Sequence, residues 1–200
     1  MTRWPIALQE GDVALRPIRA RDERAWRQVH LRNRQWLVEW EATQPPGGEP
    51  GPSSFAGLVR MLHRQARRGT TLPWVVWVQI DGAWRLAGQL TVSSIHYGSA
   101  NSATLGYWID EALAGRGIIP TAVAMATDYC LGDLGLHRME IAIRPENAKS
   151  LRVVQKLGFR PEGLRPKFLH INGDWRDHAI FAMHSDEVPD GGLLAAWRAR

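Results

Sequence analysis

Residues 106–131 read GYWIDEALAGRGIIPTAVAMATDYCL, and the change of period inside this stretch sets the architecture. Its lead-in, ATLGYWI (103–109), reads as a strand. Beyond it, Ile119, Val123, Ala126, Cys130 and Leu134 recur three and four apart, which predicts a helix over 118–134. The joint between them holds Gly115-Arg116-Gly117. Glycine lets the backbone come close to a ligand. The first turn of a helix presents unpaired N–H groups and the positive end of its dipole. Together they suit a pyrophosphate, and Arg116 adds a charge. A tight strand-to-helix turn is the plainer alternative. The joint is no Walker loop, because Gly-Lys-Ser/Thr is absent, and no dinucleotide fingerprint, because the GxGxxG spacing fails.

Working outward, a strand is expected over Val13–Ile18, with Val13, Leu15 and Pro17 on one face. Arg21–Trp40 reads as one or two helices with Trp26, Val29, Trp36 and Trp40 at apolar positions. TQPPGGEPGPSS (43–54) is a loop within the domain, placed where it can border a substrate site. Ser53 or Ser54 caps a helix that Gly69 ends, with Leu58, Leu62 and Ala66 inward. The rest of that helix is basic through Arg60, His63, Arg64, Arg67 and Arg68, a solvated face or an RNA contact. Leu72–Ile80 and Trp84–His96 flank Asp81-Gly82, a hairpin signal. Strand His137–Ile143 and helix Ala148–Leu157, ended by Gly158, follow. Strands Phe159–Ile171 and Trp175–His184 close the order. This predicts one domain over 1–200 with its core at about 11–185, an α+β or mixed α/β fold with a largely antiparallel sheet, and a peripheral tail at 186–200.

The chain of 200 residues is 44% hydrophobic and 22% charged, with a formal charge of +5 and one cysteine. That balance is an ordinary soluble globule, and no apolar run approaches the ~20 residues of a membrane span. The opening residues lack the apolar core of a signal peptide, so a cytoplasmic protein is expected. The excess charge favours an anionic partner without naming it. Five of the ten tryptophans fall in the first 75 residues, as core or as cleft lining. Cys130 lies on a helix's apolar stripe, which makes it a buried hydrophobe rather than a nucleophile.

Three segments carry a family resemblance. AGRGIIP (114–120) resembles the GNAT motif Q/R-x-x-G-x-G/A, with Ala114 and Ile119 departing at its ends. RPENAKSLRVVQKLGFRPEG (144–163) resembles N-x-x-S-…-K-x-G-F-x-x-E-G. HINGDWRDHAIFAM (170–183) resembles Y/F-x-x-x-G-x-W-x-D-h. In order and spacing the chain is similar to GNAT N-acetyltransferases, and within them to the Rim-type bacterial ribosomal-protein-alanine N-acetyltransferases.

The resemblance implies a central, mostly antiparallel twisted sheet flanked by helices, with splayed strands forming the cofactor cleft. It implies acetyl-CoA as cosubstrate and no metal. Tyr107, Trp108 and Ile109 would follow the pantetheine arm; Gly115, Arg116, Gly117, Ile118, Ile119 and Pro120 would surround the pyrophosphate. Asn147 would bond the arm, and is equally a helix N-cap. The tyrosine that many relatives use to protonate the thiolate corresponds to Val154. Ser150 is then the proton donor, or only a capping residue. A strand N–H near Trp108 or Ile109 would hold the oxyanion.

The acceptor is a primary amine attacking the thioester directly. About a tenth or more of an α-amine is neutral at pH 7, against under about a thousandth of a lysine amine, so a chain without an obvious strong base suits a protein N-terminus. Candidate bases are Glu140, His170 and Glu162; the family's usual glutamate position is Ala142. A ribosomal protein is one expected substrate. An aminoglycoside or polyamine acetyltransferase and a non-catalytic RNA- or ribosome-binding module are the rivals. Oligomeric state is left open.

Overall fold

In the computed structural model, which describes residues 4–48 and 51–200, eight strands form one sheet in the order β1-β2-β3-β4-β5-β6-β8-β7. The strands are β1 (Leu8–Glu10), β2 (Val13–Pro17), β3 (Leu72–Ile80), β4 (Ala83–His96), β5 (Ser102–Ile109), β6 (Arg138–Ile143), β7 (Arg160–Ile171) and β8 (Asp174–His184). Every pairing is antiparallel except β5 with β6. Parallel neighbours need a long crossover, and here it is α4 (Ile118–Asp128). The short β1 carries too few residues for a periodic signal and was not anticipated.

Helices cover both faces. On one face lie α1 (Glu23–Arg32), the single turn α2 (Arg34–Leu37) and α3 (Phe55–Arg67); on the other lie α4, α5 (Ala148–Leu157) and α6 (Leu193–Arg198). Ser54 caps α3 by accepting from Gly57 N at 3.1 Å. The inward stripe of α3 is Phe55, Val59, Leu62 and Ala66, not Leu58: Val59 and Ala66 are buried and Leu58 is half-buried. Burying residues such as Phe55 and Val59 stabilises the fold by about 1.5–3 kcal/mol each. His63 leaves the basic face. Its Nε2–H donates to Ile18 O at 2.6 Å and its Nδ1 accepts from Trp4 Nε1 at 3.2 Å. Arg60, Arg64, Arg67 and Arg68 remain exposed. Asp81 and Gly82 both take positive φ, as the tight hairpin turn requires.

Two expectations are corrected. The helix predicted to reach Leu134 is α-helical only to Asp128; Leu134 N then bonds Tyr129 O, five residues back, in a π-helical turn over Tyr129–Asp133. The tail is not peripheral. Asp128 accepts from Leu193 N and Leu194 N at 2.8 and 2.9 Å, capping α6 onto α4, and Leu193 is buried. Of the proline-rich loop 43–54, residues 49–50 lie outside the described residues.

β5 and β6 pair only over Ser102–Thr104 with Arg138–Glu140. Beyond Thr104 and Glu140 no pairing joins them, so the sheet is open at its centre. The far end of β5 is held instead by the other strands and by α1. Asp110, 2% exposed, accepts from Arg32, from Asn33 Nδ2 at 2.9 Å and from Ala112 N. Burial alone pushes this carboxyl up, but the Arg32 and Asn33 bonds outweigh it and hold it below its ordinary value. Asn33 Oδ1 completes the latch by accepting from Glu111 N at 2.9 Å. Asp110→Ala is expected to cost about 2 kcal/mol, because it strips partners from a buried amide and a guanidinium. A depressed folded pKa contributes stability above the unfolded carboxylate value of about 3.9, lost as pH falls through the folded value. Thermal melts should therefore show a wild-type advantage that is flat near neutrality and shrinks in acid. An advantage growing toward low pH would refute the latch.

Candidate active site

A cleft of about 810 Å³ occupies the gap beside β5. Its floor is Tyr107, Trp108 and Ile109; one wall is the turn Ala114–Gly115 with Gly117, Ile118, Ile119 and Pro120; the other is α5 from Asn147 through Ser150 to Lys156. Neighbouring strand residues point to opposite faces. Tyr107 packs with the α4–α5 layer and Trp108 with the α1–α3 layer. A cleft lined by both therefore passes through the sheet and opens on either side.

The turn has the form that the glycines suggest. Gly115 and Gly117 take φ of +82° and +79°, and space around the Gly115 Cβ position is free to 4 Å. Gly117 is the N-cap of α4 and has no side chain to satisfy the first amides of the helix. Trp197 of α6 buttresses this turn, donating from Nε1 to Thr121 Oγ1 at 3.0 Å. Arg116 is exposed and is not part of the lining.

On the opposite wall, Asn147 Oδ1 accepts from Ser150 N at 3.0 Å, so the N-cap role is realised. Its Nδ2 remains available to the cleft. The Tyr107 hydroxyl is buried and has no hydrogen-bond partner. Burial pushes this phenol up to about 12, an effect the neighbouring Ser150 hydroxyl opposes. A buried, unpartnered hydroxyl aimed into a cleft marks a place where a ligand's polar group belongs. The residues present thus fit a long, phosphorylated acyl donor with an amide-bearing arm.

Several lining residues were missed in the sequence. Lys149, Arg152 and Lys156 all line the cleft, and spacings of three and four put them on one face of α5. That spacing was the available signal for a cationic rim. Lys149 Nζ sits 4.0 Å from the Trp36 ring centre, joining α5 to α2 at the cleft. Trp36 and Trp40 line it too, whereas Trp74 is fully buried core. Trp36 Nε1 donates to Ile109 O at 3.2 Å. Asp110 N donates to Ala87 O of β4 at 2.7 Å, so by strand alternation it is the Ile109 amide, not that of Trp108, that turns away from β4 into the gap.

The three candidate bases all stand outside the lining. Glu140 accepts from Arg165 at 2.7 and 3.1 Å and from Arg138 at 2.9 Å, leaving its oxygens engaged. Arg138 and Arg160 hold Glu162 down at about 2, unsuited to taking a proton. His170 is 8% exposed, and its Nδ1 pairs with Thr43 Oγ1 at 2.8 Å, tying the proline-rich loop to β7. Cys130 is fully buried, and burial raises its thiol pKa strongly, as expected of a packing residue.

Comparison with known proteins agrees with this geometry. The acetyltransferase (GNAT) domain family matches residues 12–160. This chain belongs to the GNAT family. The acetyltransferase is 34% identical to Mycobacterium smegmatis RimJ, solved in complex with CoA-disulfide, with a TM-score of 0.87 over 98% of this chain and 95% of that one. It is 26% identical over 188 residues to the Escherichia coli [ribosomal protein uS5]-alanine N-acetyltransferase, covering 93% of this chain and 94% of that protein. A Bacillus subtilis protein named probable N-acetyltransferase YjcK is 40% identical over 99 residues, half of this chain; the match spans 55% of that relative's length. The acetyltransferase is thus an acyltransferase with the mixed, mostly antiparallel GNAT sheet, close to Rim-type enzymes in sequence and structure.

Proposed function

We propose that the acetyltransferase moves an acetyl group from acetyl-CoA to the α-amine of a protein N-terminus, with a ribosomal protein as the first substrate to test. The observation that carries this reading is the cleft lined by both Tyr107 and Trp108. It lets donor and acceptor reach one carbon from opposite faces of the sheet, as direct transfer in a ternary complex requires.

The donor enters from the α4–α5 face. Its pyrophosphate meets the free amides at the start of α4, with Arg152 and Lys156 supplying charge. The pantetheine arm runs along β5 as an added strand, bonded by Asn147 Nδ2. The amine arrives from the α1–α2 face, past Trp36 and Trp40. It attacks the thioester carbon, and the oxyanion is held by the Ile109 N–H. The C–S bond breaks, and the thiolate takes a proton delivered through Ser150. The tie to Rim-type relatives, one of them in complex with CoA-disulfide, supports donor and acceptor class alike.

Acetyl transfer to a panel of N-terminal peptides beginning in Ala or Ser, with spermidine and an aminoglycoside in parallel, tests the assignment. Faster turnover on the small amines would replace it with the polyamine class. Loss of turnover on every amine with retained RNA binding would replace it with a binding module. Ser150→Ala is expected to lower kcat by roughly tenfold or more while the affinity for CoA changes little. An unaltered kcat would leave Ser150 with no part beyond the first turn of α5.

A further inference from the structure

The acceptor side of the cleft holds a pair of titratable side chains that no sequence motif announced. His30, on α1, sets Nε2 3.0 Å from both carboxylate oxygens of Glu41. Its ring stacks on Trp26, with centroids 4.6 Å apart and planes at 10°. It also meets the edge of Trp108 at 5.6 Å and 78°, and Trp108 lines the cleft. The imidazole is 24% exposed. A carboxylate only accepts hydrogen bonds, so it fixes the ring proton on Nε2 and leaves the Nδ1 lone pair as an acceptor. Among the described residues no hydrogen bond occupies Nδ1. The groups on the ring are Glu41, Trp26 and Trp108, and of these Glu41 alone carries charge.

We propose that His30 takes the proton from the attacking amine, with Glu41 as its positioning residue. The inference rests on the N-terminal acetylation reading above. As the N–C bond forms, the nitrogen becomes positively charged; its proton passes to Nδ1, and the C–S pair leaves with CoA. The imidazolium, faced by the Glu41 carboxylate, then returns its proton to solvent. Two stacked indole faces hold the ring in one orientation, as a base needs. The same amine argument that lowers the demand for a strong base makes an imidazole sufficient.

The test is kcat/KM against pH for wild type, His30→Gln and His30→Phe, using an Ala- or Ser-initiated peptide; the phenyl ring keeps the stack on Trp26. Acid lowers kcat/KM by protonating both the amine and the base, so the limiting low-pH slope of log kcat/KM should be about two in wild type and about one in both variants. Their kcat/KM should fall on the order of 100-fold while CoA affinity by calorimetry holds. Nitrogen-15 NMR of the imidazoles should show the Nε2–H tautomer in wild type and its loss in Glu41→Ala, a readout independent of turnover. Variants with wild-type rate and slope would overturn the proposal and leave His30 as packing. A wild-type enzyme inactive on every peptide would instead overturn the acceptor assignment, and this base with it.

Discussion

Gly117→Glu is expected to raise the dissociation constant for CoA at least about 100-fold, a loss of roughly 2.7 kcal/mol or more. Gly117 caps α4 at φ +79° with no side chain of its own over the first amides. Those amides and the helix dipole are the proposed anion site. A glutamate there brings its own carboxylate to the same donors, where it is favoured and unlinked to any ligand. It competes with the pyrophosphate at an effective concentration no solute matches. Backbone strain contributes separately, because a non-glycine residue in the left-handed region costs about 1–2 kcal/mol. Gly117→Ala isolates that contribution. Its Cβ would lie 3.6 Å from Trp197 Cζ2, ordinary contact, so the fold should be slightly destabilised with binding largely kept. Calorimetry with CoA on both variants checks the difference. Wild-type affinity in the glutamate variant would remove this turn from the donor site.

Gly88→Ala should destabilise the fold by more than about 3 kcal/mol, against a usual gain of about 0.4–1 kcal/mol for Gly→Ala at a compatible position. Gly88 of β4 lies opposite Ile109, and a Cβ added there would stand 2.1 Å from the Trp108 carbonyl oxygen and 3.0 Å from the Ile109 Cα. Both are backbone atoms of β5, so no rotamer change relieves the clash. The strands must part where β5 floors the cleft. A domain of this size loses about 2–4 °C of melting temperature per kcal/mol, so a drop of roughly 6–12 °C is expected, with weaker CoA binding. A variant as stable as wild type would show that the β4–β5 register is wrong. Nothing local marks Gly88 in the sequence. The β-bulge between Val76/Trp77 and their β4 partners brings it against β5, which only the paired strands reveal.

The same division runs through the rest of the molecule. Element types follow from short-range terms: the 3.6 period of α4 and α5, the Asp81-Gly82 turn, the Ser54 cap and the glycines that end helices act within a few residues. The phosphate turn was legible for that reason, since its glycines and the helix start adjoin in the chain. The bases were not. Glu140, Glu162 and His170 were chosen by residue type near a motif, yet Arg138, Arg160, Arg165 and Thr43 reach them from elements distant in the chain. Likewise the tail was judged peripheral because the six residues of α6 show too little periodicity, while Asp128, 65 residues upstream, caps it.

By itself, then, the chain's local chemistry determines the order of strands and helices, the anion-binding turn and membership of an acyl-transferring fold. The tertiary structure decides which charges face one another, where the sheet opens and what lines each side of the opening. The physical reason is range. Helix periods, caps and turns are settled by neighbours along the backbone. Cleft walls and ion pairs are set by strand register and helix docking, which bring His30 to Glu41, Lys149 to Trp36 and Asp110 to Arg32.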